Sequence, residues 1–222
     1  MVSHLLSISI RATASTLLFI ILFFQGVTVS FAQSINFKGW LNYINISKAD
    51  INQFNTTSRS GYFFGGGVTT SDGLVRFTSE VLFSKQGYDY KNGAATGNVD
   101  LQYLLFPQTI SLNLGEFFSI HAGLQPGFAT KLKIDSTTLS GDNISLENLA
   151  KNIKKVNLSI VAGAELSPIK GLFIGARYNH PLGNFLKNDA DKGLVFAPDK
   201  NLKNNLIQIY AGIRFSLDGY RY

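Results

Sequence analysis

The chain has 222 residues, no cysteine and a formal net charge of +6 at pH 7. The missing cysteine excludes disulfides, thiolate catalysis, Cys-ligated zinc and a lipid-modified N-terminal Cys. The 20 Lys and Arg are dispersed rather than gathered in one basic stripe, which suits contact with lipid phosphates and argues against a nucleic-acid partner.

Residues 12–24 (ATASTLLFIILFF) form a short apolar run after Arg11, and Ser30 and Ala32 place small side chains around a cleavage point. The run is shorter than the ~20 residues of a spanning helix and is followed by a small-x-small site. The reading is a cleavable signal peptide over 1–32 and one domain over 33–222, with an uncleaved anchor as the alternative. N-terminal sequencing of the exported protein is therefore expected to begin at Gln33; retention of Met1 would remove the export argument.

After Ala32 no run is long and apolar enough for a membrane helix, and apolar and polar residues alternate instead. The alternation predicts strands over 35–47, 60–70, 74–89, 98–111, 116–130, 155–167, 171–183 and 204–217. Tight turns are expected at Thr70–Gly73, Leu112–Gly115 and Pro168–Lys170, with longer connections at 48–59, 90–97, 131–154 and 184–203. In the third of these, Leu146, Leu149, Ala150 and Ile153 fall at helical spacing, so a short helix and a mobile loop stay open alternatives. The short–long rhythm is that of an all-β, eight-stranded antiparallel up-and-down transmembrane β-barrel in a bacterial outer membrane, with both termini periplasmic.

The strand faces sharpen this. Over 116–130, Phe118, Ile120, Ala122, Leu124, Pro126 and Phe128 oppose Ser119, His121, Gly123, Gln125, Gly127 and Ala129. The faces over 155–167 and 204–217 divide similarly, whereas Leu104, Leu105 and Phe106 put apolar groups on both faces of the fourth strand. The polar faces carry Gly and small residues with few Lys and Glu, as a narrow interior demands. A soluble lipocalin-like barrel, apolar inward, is the alternative.

Five ionisable residues fall on inward positions: Arg76, Glu80, Glu165, Arg177 and Arg214. Buried charges are costly unless paired. The expectation is a two-layer plug, with Glu80 on Arg177 in the middle and Glu165 on Arg214 or Arg76 nearer the turns; a selectivity ring or proton path is the other reading. Tyr210, Gly212, Phe215 and Leu217 approximate the aromatic-ended pattern of a terminal strand read by the barrel-assembly machinery. Tyr178 and His180, near the loop end of the seventh strand, read as interfacial anchors.

Four stretches resemble the PorT-like outer-membrane β-barrel family of the Bacteroidetes group. Glu80–Gly87 (EVLFSKQG) looks like its E-L-x-aromatic-S-x-K-G third strand, and Tyr103–Pro107 (YLLFP) like its Y-L-x-x-P fourth strand. Gly123–Gly127 (GLQPG) is similar to its Gly-rich fifth strand, and Arg177–Asn184 (RYNHPLGN) resembles its R-Y-x-x-G-L-x-N exit. Asn157 and Pro181 depart from it, where the family often has Asp and Gly. The resemblance implies architecture and outer-membrane location, with some relatives taking part in protein secretion.

Enzymatic chemistry finds little support. Ser119 and His121 lie two apart and are the residue types a lipid-modifying barrel enzyme uses, but they are on the inward face, away from an outer-leaflet acyl chain. With two His after the cut and no acidic cluster beside either, neither a metal nor a cofactor is expected. The reading is a non-enzymatic scaffold, adhesin or accessory of an envelope or secretion complex, acting through its external loops. Its expected partners are envelope or secretion-complex proteins and outer-membrane lipids, including lipopolysaccharide phosphates. A narrow transport pore or a lipid-modifying barrel enzyme is the alternative.

Overall fold

The computed structural model describes residues 33–47, 54–70, 73–92, 95–136, 154–184 and 203–217. Its strands are Ser34–Ser47 (β1), Phe54–Thr69 (β2), Val75–Asn92 (β3), Ala95–Leu105 (β4), Gln108–Asn113 (β5), Phe118–Ser136 (β6), Val156–Ile169 (β7), Leu172–Pro181 (β8) and Lys203–Ser216 (β9). Every pairing is antiparallel, and β1 pairs with both β2 and β9, so the sheet closes on itself. Closure leaves no edge in the wall, and each backbone donor and acceptor there can find a neighbouring strand. Among the described residues there is no helix. The region 145–153, with its helical spacing, lies outside the described residues.

The barrel has eight staves, because β4 and β5 are one stave. Leu105 pairs with Leu82 and Gln108 with Ser79, so the register against β3 is unchanged across Phe106 and Pro107. Pro107 has no N–H to give the ladder, but its carbonyl accepts from Glu80 N at 3.0 Å. Phe106 N donates to Pro126 O at 2.8 Å on the other side.

Several strand limits differ from the sequence reading. β3 and β4 run on to pair Asn92 with Ala95, so the long connection expected at 90–97 is a two-residue one at 93–94. β2 begins at Phe54 and β6 continues to Ser136, each through an irregularity. One sets Ser60 and Gly61 opposite Gln86 alone; the other inserts Thr130 between Ala129 and Lys131. An extra residue reverses the inward parity of the strand beyond it, which is why Leu132 joins the interior. At the opposite end, β5 extends to Asn113 and β7 to Ile169, moving those turns to 114–117 and 170–171. Gly115 and Gly171 take positive φ values of 92° and 85° there, a conformation that disfavours a Cβ.

Outside, an apolar band runs from Ile207 to Phe215 on β9, with Leu172 and Ile174 on β8 and Ile120 and Leu124 on β6 also exposed. Eight residue steps of ~3.4 Å make about 27 Å of strand, enough for an apolar belt of ~25 Å once tilt is allowed. Tyr43 pairs with Ile207, and Ile207 with Tyr178, so two tyrosines share one height near the loop end. Phe117, Phe118 and Phe215 are exposed near the turn end. Apolar residues flanked by aromatic girdles characterise a lipid-facing wall.

The interior is filled, in two different ways. Towards the loops, Ile44, Leu82, Tyr88, Tyr90, Val99, Leu101, Tyr103 and Leu206 form an apolar cluster. The expected two layers of charge are therefore only part of the filling: the inward residues of β3 and β4 there include Leu82, Tyr88, Tyr90, Val99, Leu101 and Tyr103, with Ser84 and Gln86 among them. Towards the turns the filling is polar, with Phe63, Phe173 and Tyr210 at the junction. Tyr210 meets both phenylalanine rings edge-on at 6.2 Å between centroids. Gly175 makes room for it, since a Cβ there would stand 2.6 Å from Tyr210 Cζ. Gly175→Ala is therefore expected to cost about 1–3 kcal/mol by overpacking, read as a lower urea midpoint of the folded barrel.

Candidate functional site

The polar half of the lumen is one connected network. Arg177 Nη1 lies 3.0 Å from Glu80 Oε2, and Lys38 Nζ lies 2.6 Å from Glu80 Oε1. Lys38 is also 4.0 Å from Glu165 Oε1, and Arg214 Nη2 is 3.1 Å from Glu165 Oε2. The Tyr210 hydroxyl donates to Glu165 Oε1 at 3.0 Å, and Lys38 Nζ sits 4.3 Å from the centroid of the Tyr210 ring.

The network continues towards the loops through neutral groups. Arg177 Nε donates to Gln208 Oε1 at 2.7 Å, Gln208 Nε2 to Asn42 Oδ1 at 2.8 Å, and Asn42 Nδ2 to Ser84 Oγ at 2.8 Å. Glu80 and Arg177 are each 2 % exposed. At that burial a charge is tolerated only with opposite charge and hydrogen bonds close by, and each has both.

Strand register explains the assembly. Lys38 pairs across β1–β9 with Gly212, and Arg177 across β8–β7 with Gly163. Glu80 of β3 faces Gly67 of β2. Each long charged side chain thus rises beside a glycine, where the narrow lumen has space for it.

The sequence-selected residues are distributed as follows. Glu80 meets Arg177, and Glu165 meets Arg214. Arg76 does not reach Glu165 as the alternative pairing had it; its Nη2 donates to Ser119 Oγ at 3.1 Å. The two expected layers are joined, and the joining residue is Lys38, absent from the sequence-selected set. A signal for it was present: Asn36 and Lys38 alternate with Ile35 and Phe37 at the start of β1. Gln208 and Asn42, both fully buried, were also missed, because a buried amide looks like any polar strand residue.

Ser119 and His121 are 4 % and 7 % exposed and inward, so neither faces the lipid side. Tyr178 is exposed and its ring stacks on His180 at 6.4 Å between centroids, while His180 Nδ1 lies 2.9 Å from Asn205 Oδ1. Of the four terminal-strand residues, Phe215 and Leu217 are exposed, while Tyr210 and Gly212 face the lumen. The proposed cleavage point at Ala32 lies outside the described residues, and Gln33 is the first residue described. No grouping of three or more His, Asp or Glu able to hold a metal ion occurs among the described residues.

Comparison with known proteins agrees with the architecture. A family model described as an outer membrane protein beta-barrel domain matches residues 16–215. No curated protein matches the chain. Among solved structures, the attachment invasion locus protein Ail of Yersinia pestis is similar at 11 % identity and a TM-score of 0.47, covering 83 % of this chain and 99 % of that one. The outer membrane protein OprG of Pseudomonas aeruginosa is similar at 10 % identity and a TM-score of 0.47, with 83 % and 97 % covered.

Proposed function

The chain belongs to the outer membrane β-barrel domain family, and from that premise we propose that it is a closed, non-enzymatic membrane component working through what it displays rather than what it passes. The filled lumen carries this reading. The Lys38–Glu80–Arg177 group spans the polar half, and the apolar cluster around Leu101 and Tyr103 stands behind it. An eight-stave interior is just wide enough for side chains, so a path for solutes would require this packing to come apart.

In this reading the three tight turns and both termini are periplasmic and the opposite connections face outward. The chain serves as a scaffold or accessory of an envelope or secretion complex. The resemblance of Glu80–Gly87, Tyr103–Pro107, Gly123–Gly127 and Arg177–Asn184 to the PorT-like family favours the secretion branch. Lipopolysaccharide phosphates and the barrel-assembly machinery are its general partners, and a leader over 1–32 precedes the barrel.

Two measurements test it. In a planar bilayer the purified barrel is expected to show no steady conductance; large stable steps would instead support the narrow pore. Affinity purification from outer membranes is expected to recover a stable protein partner that is lost when the connection at 185–202 is shortened. A lone barrel with lipid turnover would overturn the proposal in favour of an enzyme.

A further inference from the structure

The outer wall carries a groove of about 440 Å³ over β7, β8, β9 and β1. Ala164, Ala176 and Ala211 make its floor, and Trp40, Leu166 and Ile209 stand around it. Register sets the shape. Ala164, Ala176 and Ile209 are neighbours in one row across the sheet, and Leu166, Ile174 and Ala211 are neighbours in the next outward row towards the turns. Small side chains therefore step diagonally between large ones. Ala211 lies midway along the exposed Ile207–Phe215 band, so the groove sits at the depth of the hydrocarbon.

Trp40 borders the groove against the rule of its strand. Asn36, Lys38 and Asn42 share its parity on β1 and are buried, whereas Trp40 is 58 % exposed. An indole ordinarily sits at the membrane–water interface; this one stands level with Tyr210, near mid-band, as a broad apolar wall. A second barrel would fill the recess poorly, because two closed, convex walls meet along a line. A flexible hydrocarbon chain can lie within it, and the volume falls in the ~300–1,000 Å³ range of small-molecule sites.

The turn beneath supplies a polar end. Lys170 is exposed in the 170–171 turn that joins β7 to β8, the two strands that carry Ala164 and Ala176. Six residue steps of ~3.4 Å, tilted by ~40°, put it roughly 15 Å below Ala176, which is half of a hydrocarbon core ~30 Å thick. A cation at head-group depth under an apolar groove complements a lipid with an anionic head. Glu116, exposed in the neighbouring 114–117 turn, disfavours a head group of high negative charge.

We propose that this groove binds one phospholipid, with an acyl chain against Ala164, Ala176 and Ala211 beside Trp40 and a singly charged phosphate at Lys170. The site rests on the lipid-facing wall and not on the scaffold reading, since a conducting barrel, or one without a protein partner, could carry it equally.

The test uses the full barrel folded in a non-ionic detergent. Phosphatidylglycerol and phosphatidylethanolamine with brominated chains are titrated separately. Quenching of Trp40, the single tryptophan of the chain, reports a chain in the groove, and native mass spectrometry counts the bound lipids. Saturable quenching with one lipid per barrel is expected, tighter for phosphatidylglycerol. Ala176→Leu fills the floor from the outer face and is expected to weaken binding about tenfold. Ala211→Leu makes the same test if Ala176→Leu does not fold. Ala162→Leu, exposed one outward row nearer the loops and outside the groove, is expected to leave binding unchanged. Lys170→Gln is expected to weaken phosphatidylglycerol binding about fivefold. Quenching that rises without saturation and equally in every variant means ordinary contact with surrounding lipid, and overturns the proposal. So does a lipid-free dimer that Ala176→Leu disperses, or phosphatidylglycerol binding that Lys170→Gln leaves unchanged.

Discussion

Glu80→Leu is expected to destabilise the folded barrel more than any other single substitution in the lumen, by about 3–5 kcal/mol. The carboxylate is shared: one oxygen meets Lys38 Nζ at 2.6 Å and the other Arg177 Nη1 at 3.0 Å. Removing it leaves two cations facing each other across a space where both are nearly fully shielded. Lys38→Met should cost much less, because Glu80 keeps Arg177 and Glu165 keeps Arg214 and the Tyr210 hydroxyl. The double change Glu80→Leu with Lys38→Met should recover part of the loss, since only Arg177 is then stranded, and Gln208 still accepts from its Nε. Urea midpoints can be followed through Trp40, the single tryptophan of the chain. Single and double effects that simply add would mean the three groups are solvated independently, and the lumen would not be the packed interior described here.

Why the sequence revealed some of this and not the rest follows from the two-residue repeat. In β6, β7 and β9 one face is apolar and the other carries small or polar residues, so parity alone assigned Glu165 and Arg214 inward. The same parity gave Arg76, Glu80 and Arg177, and strand direction then placed Glu80 level with Arg177. Lys38 escaped because Trp40, exposed in the structure, falls on the same parity as Asn36 and Lys38 and blurs the alternation of β1. The loop-side interior escaped for a related reason. Where Leu101, Tyr103 and Leu105 face inward and Leu104 faces out, both faces are apolar, and no alternation says what fills the lumen. Nor can a repeat of two foresee an inserted residue. Thr130 hydrogen-bonds through its hydroxyl to Gln102 O at 3.2 Å, and beyond it the inward set changes from odd to even positions.

The largest effect of all is expected from the last stave. A chain ending at Leu206 should fail to insert, whereas a chain ending at Asp218 should insert and fold. β9 is paired on both sides, from Ser34↔Ser216 to Ser47↔Lys203 with β1 and from Leu172↔Ile213 to Asn179↔Leu206 with β8. Removing residues 207–222 unpairs most of both ladders at the level of the apolar band. Each backbone group left without a partner in hydrocarbon costs several kcal/mol, and the two opened edges expose a row of them. The interior fails at the same time. Gln208 no longer accepts from Arg177, and Glu165 loses both Tyr210 and Arg214. By contrast, the chain ending at Asp218 keeps Phe215 at the rim and the bond from Leu217 N to Gln33 O at 2.6 Å. Gel mobility before and after boiling separates the outcomes, because a closed barrel resists detergent until heated. A heat-modifiable, protease-protected product from the chain ending at Leu206 would show that β1 and β8 can close without β9. The register described here would then not be the one that holds the barrel shut.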